Sequence, residues 1–211
     1  MEGNGQKPTE IKHMKRFILL AILPSIFALA SCVGSQHKFS EQDLAIINTN
    51  PDSLLHIYTI ENPEELKVLR KPSADLAPKV IHSDDYRLLA ERMIRTLADS
   101  TVGGVGLAAP QIGINKAVIA VQRFDKPGAP IEVYPNIRIL ETSEEMDISF
   151  EGCLSVPGKK GYVDRHIGIE IEFYSIGQRK MIRDTVHQYP AVIFQHEIDH
   201  LFGTLYTDRA W

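Results

Sequence analysis

The chain reads as an α+β domain with mainly antiparallel sheet, and three observations predict it. Ile167, Ile169, Ile171 and Phe173 alternate with Gly168, Glu170, Glu172 and Tyr174, the period of a half-buried strand. Ser83, Asp84 and Asp85 precede Leu89, Ala90, Met93, Ile94 and Leu97 at helical spacing, with Tyr86 on the same stripe. A capped helix with an acidic first turn and a core-facing side is therefore expected over 84–100. Near the end stands Gln195-His196-Glu197-Ile198-Asp199-His200-Leu201, and its H-E-x-x-H core predicts a second helix. Strands in runs with two helices point to α+β.

Length and composition set the frame. The 211 residues are 44% hydrophobic and 24% charged, with a formal net charge of -4. That balance supports one globular domain with a core of useful size, and it offers no basic surplus for nucleic acid.

The chain opens with a mostly polar stretch, 1–13, and then Met14-Lys15-Arg16. Phe17 to Ala30 is apolar apart from Pro24 and Ser25. Positive charge, a short apolar run and small residues have the layout of an export signal, too short for a comfortable membrane span. The run closes on Leu29-Ala30-Ser31-Cys32, which resembles the bacterial lipoprotein box. Cys32 is expected to carry lipid and attach the exported chain to a membrane, with either Met1 or Met14 as the start. An uncleaved tail on a cytoplasmic protein is the competing reading. Polar clusters at 35–38 and 48–53 make 33–62 a tether after the 1–32 signal, and the folded domain is expected over 63–211.

Beyond the first helix, glycines crowd from Gly103 to Gly113. Such density needs unusual backbone angles or close approach of something to the main chain. No phosphate-loop ending and no dinucleotide spacing is present. An extended segment along a cleft, with the Gln111 amide at its end, fits better. Ala117–Val121 and Ile131–Leu140, the latter interrupted by Pro135, are apolar runs with strand character. Ser175-Ile176-Gly177 turns the 167–174 strand back into a partner over 180–186. Pro190 then suits an early helical position, and Gly203 a helix stop.

The chemistry gathers on the last helix. Residues i and i+4 share one face, so His196 and His200 can bind one metal ion while Glu197 takes a proton from water beside it. A catalytic site of this kind takes a third protein ligand. Only eleven residues follow His200 (201–211), and none is His, Glu or Cys. The third ligand therefore lies upstream or is Asp208. Cys153 is a compact choice, next to Gly152 within Glu151-Gly152-Cys153-Leu154-Ser155; His166 and His187 are its rivals. Cys32 and Cys153 are the only two cysteines, and a lipidated Cys32 leaves Cys153 as a lone thiol with metal ligation as its reason.

Three stretches now stand in order: Gly104-x-Gly106-x-Ala108-Ala109-x-Gln111, Glu151-Gly152-Cys153-Leu154-Ser155 and Gln195-His196-Glu197-x-Asp199-His200-Leu201. Together they resemble the three signature motifs of the peptide deformylase family, over about Leu66 to Asp208. The resemblance implies sheets packed around a central metal-bearing helix. It implies Cys153, His196 and His200 as ligands of Fe(II), or of zinc, nickel or cobalt in its place. It implies Glu197 as proton acceptor and donor, and the Gln111 side chain and Leu154 backbone N–H as donors to the developing oxyanion. Val105, Gly106 and Gly152 would lie along the substrate, an N-formylated peptide or nascent-chain N-terminus, pairing with it as an added strand. Formate and a free amine would be the products. Two features depart from the family pattern: the export signal, and a chain that ends at Trp211 where many bacterial members continue into a helix. A protease of the H-E-x-x-H type and a non-catalytic peptide-binding lipoprotein are the alternative functions.

Overall fold

The computed structural model describes Met1 and residues 37–211; the expected export signal and Cys32 lie outside the described residues. Four helices come first: α1 (Glu41–Asn48), α2 (Pro63–Leu69), α3 (Pro78–Ile81) and α4 (Asp84–Ala98). Strand β1 (Gly106–Ala108) leads through a 3-10 turn at Ala109–Ile112 to β2 (Val118–Gln122) and β3 (Ile131–Pro135). Then come β4 (Arg138–Thr142), β5 (Met146–Cys153), β6 (Val156–His166), β7 (Gly168–Ser175), β8 (Lys180–His187) and the last long helix, α5 (Gln188–Leu201). The strands form three sheets, β1-β2-β3, β4-β7-β8 and the two-stranded β5-β6. Every paired strand is antiparallel, so the expected α+β class holds.

The β1-β2-β3 sheet lies between the two long helices, and strand alternation explains how. Val118 and Ala120 join Leu89, Met93 and Leu97 of α4 in one core. Ile119 and Val121 face the other way and join Ile193, Phe194 and Ile198 of α5. Ile169, Ile171 and Val186 of the second sheet close that second core from the far side. Helix α5 is thus walled by two sheets, and ten of its fourteen residues are buried. A helix held on so many sides is a rigid platform for side chains that must meet in one place. Gly203, at φ 72°, ends its run; a Cβ there would stand 2.7 Å from the carbonyl carbon of Arg70.

The expected tether is largely domain. Residues 40–62 contain α1, with Ser40 and Asp43 forming a reciprocal cap. Ile47 and Leu55 are buried in the α4 core. Arg92 of α4 supplies the reason. Its Nη1 donates to the carbonyls of Ile46 at 2.7 Å, Ile47 at 2.9 Å and Thr49 at 3.2 Å, satisfying the open end of α1. Thr96 Oγ1 accepts from Leu55 N at 3.0 Å. The 131–140 run also divides, at Pro135–Asn136. Asn136 takes φ 54°, and its side chain bonds both backbone groups of Leu76 at 2.7 and 2.8 Å.

Candidate metal centre

The end of β5 and the middle of α5 meet at one point. One helical turn separates His196 from His200, so both rings face β5 and stand 5.1 Å apart, centre to centre. Cys153 Sγ lies 3.2 Å from His200 Nε2. One ligand atom from each of Cys153, His196 and His200 falls within 4.8 Å of the others. A thiolate and two imidazoles at such distances suit a divalent transition metal with a position left open.

A buried chain of charges orients one ligand. His196 Nδ1 faces Glu151 Oε2 at 2.8 Å, which leaves Nε2 for the cluster. Arg165 grips Glu151 with Nε at 2.7 Å and Nη2 at 2.9 Å. Its Nη1 reaches Asp199 Oδ2 at 2.7 Å. Asp199 in turn accepts two bonds from Arg209, at 2.8 and 2.7 Å. Burial alone would raise the Glu151 pKa, but the bonds from Arg165 and His196 outweigh it and hold it at about 2. Burial would lower His196, yet Cys153 and Glu151 hold it up at about 10. Burial, with the His196 charge behind it, pushes His200 well below the usual range.

Glu197 shares a cavity of about 620 Å³ with Cys153 and His196. It is buried, and burial leads the effects that raise its pKa to about 7. Its Oε2 has no hydrogen-bond partner among the described residues. Gly106 makes the space: a Cβ there would stand 2.7 Å from Glu197 Cδ and 2.8 Å from its Cγ. The sequence asked what comes so close to the glycine-rich main chain, and the Glu197 side chain is part of the answer.

Gln111 is held at both ends. Its Oε1 accepts from Ala108 N at 2.8 Å, and its Nε2 lies 3.2 Å from Ser155 Oγ and 3.5 Å from Cys153 Sγ. The amide donor therefore faces the cluster. Val105, Gly106, Gly152, Cys153, Leu154 and His196 line the same cavity.

The rival ligands are engaged elsewhere. His166 Nδ1 bonds the Ser143 carbonyl at 2.6 Å, and its backbone is clasped by Gln195 at 3.1 and 2.8 Å. His187 is exposed at the start of α5. Asp208 pairs with Arg70 and accepts from Leu205 N at 2.8 Å. Sequence reasoning missed Arg165 and gave Glu151 and Asp199 no task. Asp199 stood inside the helix motif, three residues after His196, and could have been read as a partner on that face; Arg165 carried no signal of its own.

The family model for polypeptide deformylase matches residues 54–211. A peptide deformylase from Leptospira biflexa is 37% identical over 161 residues, covering 72% of this chain and 86% of its own length. A class I type b peptide deformylase from Acinetobacter baumannii matches at a TM-score of 0.66 and 33% identity, across 74% of this chain and 99% of that one. A Met-Ala-Ser-bound crystal structure of class I type b peptide deformylase from that organism matches at 0.65 and 34% identity, across 74% and 98%.

Proposed function

The chain belongs to the polypeptide deformylase family, and from that premise we propose how its residues carry the reaction. It is a metal-dependent hydrolase that removes the formyl group from N-formylmethionyl peptides, leaving formate and a free amine. The observation that carries the residue assignment is that Glu197, Gln111, Cys153 and His196 line one cavity, with His200 completing the three-residue cluster beside it.

Cys153, His196 and His200 hold the divalent ion in this reading. The ion supplies Lewis acidity, making water acidic near neutral pH and polarising a carbonyl. Fe(II) is our assignment, with zinc, nickel or cobalt able to use the same donors. Glu197 takes the proton of the attacking water on its carboxylate and returns it to the amine nitrogen as the C–N bond breaks. Gln111 Nε2 and the Leu154 backbone N–H donate to the formyl oxygen as it gains charge. Val105, Gly106 and Gly152 run beside the peptide backbone, which lies along the free edge of β5 as an added strand. Glu151 and Arg165 fix the His196 ring throughout.

Protein purified without oxygen should release formate from formyl-Met-Ala-Ser in step with its metal content. Cys153→Ser should lower metal content and activity together, because an alcohol is a poor substitute for a thiolate at neutral pH. Full metal content and full activity in that variant would remove Cys153 from the ligand set.

We also propose that the enzyme is an exported lipoprotein attached through Cys32, on the strength of the Leu29-Ala30-Ser31-Cys32 box behind a charged, apolar run. The full-length chain in a bacterial cell should take up labelled fatty acid and partition with membranes, and Cys32→Ala should abolish both. Label that survives the substitution would overturn the anchor.

A further inference from the structure

We propose that this enzyme selects formylated peptides with a large apolar residue directly after the formylmethionine, through an exposed aromatic wall on the β5–β6 hairpin. The inference rests on the deformylase reading and goes beyond it.

Strand alternation puts Glu151 on the inner face of β5, against His196 and Arg165. Phe150 and Gly152 must then share the outer face. Phe150 is 59% exposed, although it lines the cavity of the metal centre. Register sets it opposite Tyr162, and Gly152 opposite Lys160. The Phe150 and Tyr162 rings lie 4.9 Å apart, and Lys160 Nζ sits 5.8 Å from the Phe150 centroid. Tyr162 is itself 49% exposed, and Trp211 rests on its ring at 6.0 Å. An aromatic cluster this exposed, at the mouth of a reactive cavity, marks a binding surface more than a core.

The direction of the peptide decides what touches the cluster. β5 runs toward the metal centre and ends at Cys153. The reacting end of the substrate must lie there, so the peptide runs antiparallel to β5 along its free edge. Its successive side chains then face opposite sides. The methionine side chain turns to α5, where Val192 and Ile193 line the cavity with Tyr189. The next side chain turns outward, onto the face of Gly152 and Phe150. Gly152 leaves a notch there: even a Cβ would make only ordinary contact with Lys160 Cγ, at 3.4 Å. A leucine or phenylalanine filling the notch would cover the Phe150 ring, and an aspartate or serine would not.

The test is a series of peptides, formyl-Met-X-Ser with X as Leu, Phe, Ser or Asp, with formate release measured for each. The parent enzyme should favour Leu and Phe over Ser by about tenfold in kcat/KM, the scale of partly burying one such side chain. The difference should lie mainly in KM, because this contact is made equally in the ground and transition states. Phe150→Ser should bring the ratio to within about twofold of unity, and Phe150→Leu should restore most of it. The melting temperature of both variants, read on the same samples, should stay near the parent's, since the ring is exposed. A parent that treats all four peptides alike, or a Phe150→Ser variant that keeps the preference, overturns the proposal while leaving the deformylase reading intact. Absence of formate from every peptide would overturn both.

Discussion

Two buried arginines support helix α5, and they differ in what their partners do. Arg165 and Arg123 each have side chains only 3% exposed. Arg123 holds Asp125 through two bonds of 2.8 and 2.6 Å, donates to Tyr134 Oη at 2.6 Å, and lies 5.6 Å from the Phe194 ring centre of α5. Its acidic partners Asp125, Glu132 and Asp184 are between 33% and 40% exposed. The partners of Arg165 are 5% and 14% exposed, and one of them, Glu151, bonds His196 of the candidate metal centre. Water can solvate the acids left behind if Arg123 is lost; it cannot do so for Glu151. The burial of the partner, more than that of the arginine, decides whether the pair is a local brace or part of the metal centre.

Substitution at either arginine separates the two roles. Arg165→Met strands a buried carboxylate, which typically costs about 3–5 kcal/mol. It also frees Glu151 to abandon His196, and losing such a supporting partner typically weakens metal affinity about 10–100-fold. Urea unfolding and competition with a chromogenic chelator measure the two effects separately. A variant with parental metal affinity would show that Arg165 braces the fold alone. Arg123→Met should cost less, about 1–2 kcal/mol, because solvent screens its partners, and should leave metal affinity within about twofold. A tenfold loss of affinity there would erase the distinction.

pH sharpens the same contrast. The Arg123 side-chain bond holds the Asp125 carboxyl below its ordinary value of 3.8. A depressed folded-state pKa gives stability that is present above the ordinary value and lost as pH falls through the folded one. The stability deficit of Arg123→Met should therefore be largest near neutrality and shrink as pH drops below 3.8; a constant deficit would mean the ion pair contributes little. Smallest of all is Arg209→Ala. Its side chain is 49% exposed, so its bonds to Asp199 should contribute under about 1 kcal/mol and leave metal binding unchanged in the same chelator assay.

The parts of the site legible in the sequence were those set by local periodicity or by motif. His196, Glu197 and His200 follow from helical spacing, and the capped helix at Asp84 follows from Ser83 and the apolar stripe. The glycines at 104 and 106 announced a close approach without saying to what. Cys153 stood among rivals until geometry brought its sulfur beside His200 and tied His166 to Ser143. Arg165 was silent because its role depends on a hairpin register that pairs its strand with β5 and points it inward. The segment at 40–62 looked like a tether because polar clusters break its apolar residues into runs with weak periodicity. It packs on the domain through Arg92 and Thr96 of α4, which bond its backbone and gave no such signal in the sequence.

In the proposed reaction Glu197 moves the proton while Cys153, His196 and His200 hold the metal. Its most direct measurement is formate release from formyl-Met-Ala-Ser by parent and Glu197→Gln, purified anaerobically, with metal content determined on the same samples. Glu197→Gln should show equal metal content, a melting temperature near the parent's and a turnover lower by at least on the order of 10²–10⁴-fold. Undiminished formate release by a fully metallated Glu197→Gln would contradict it.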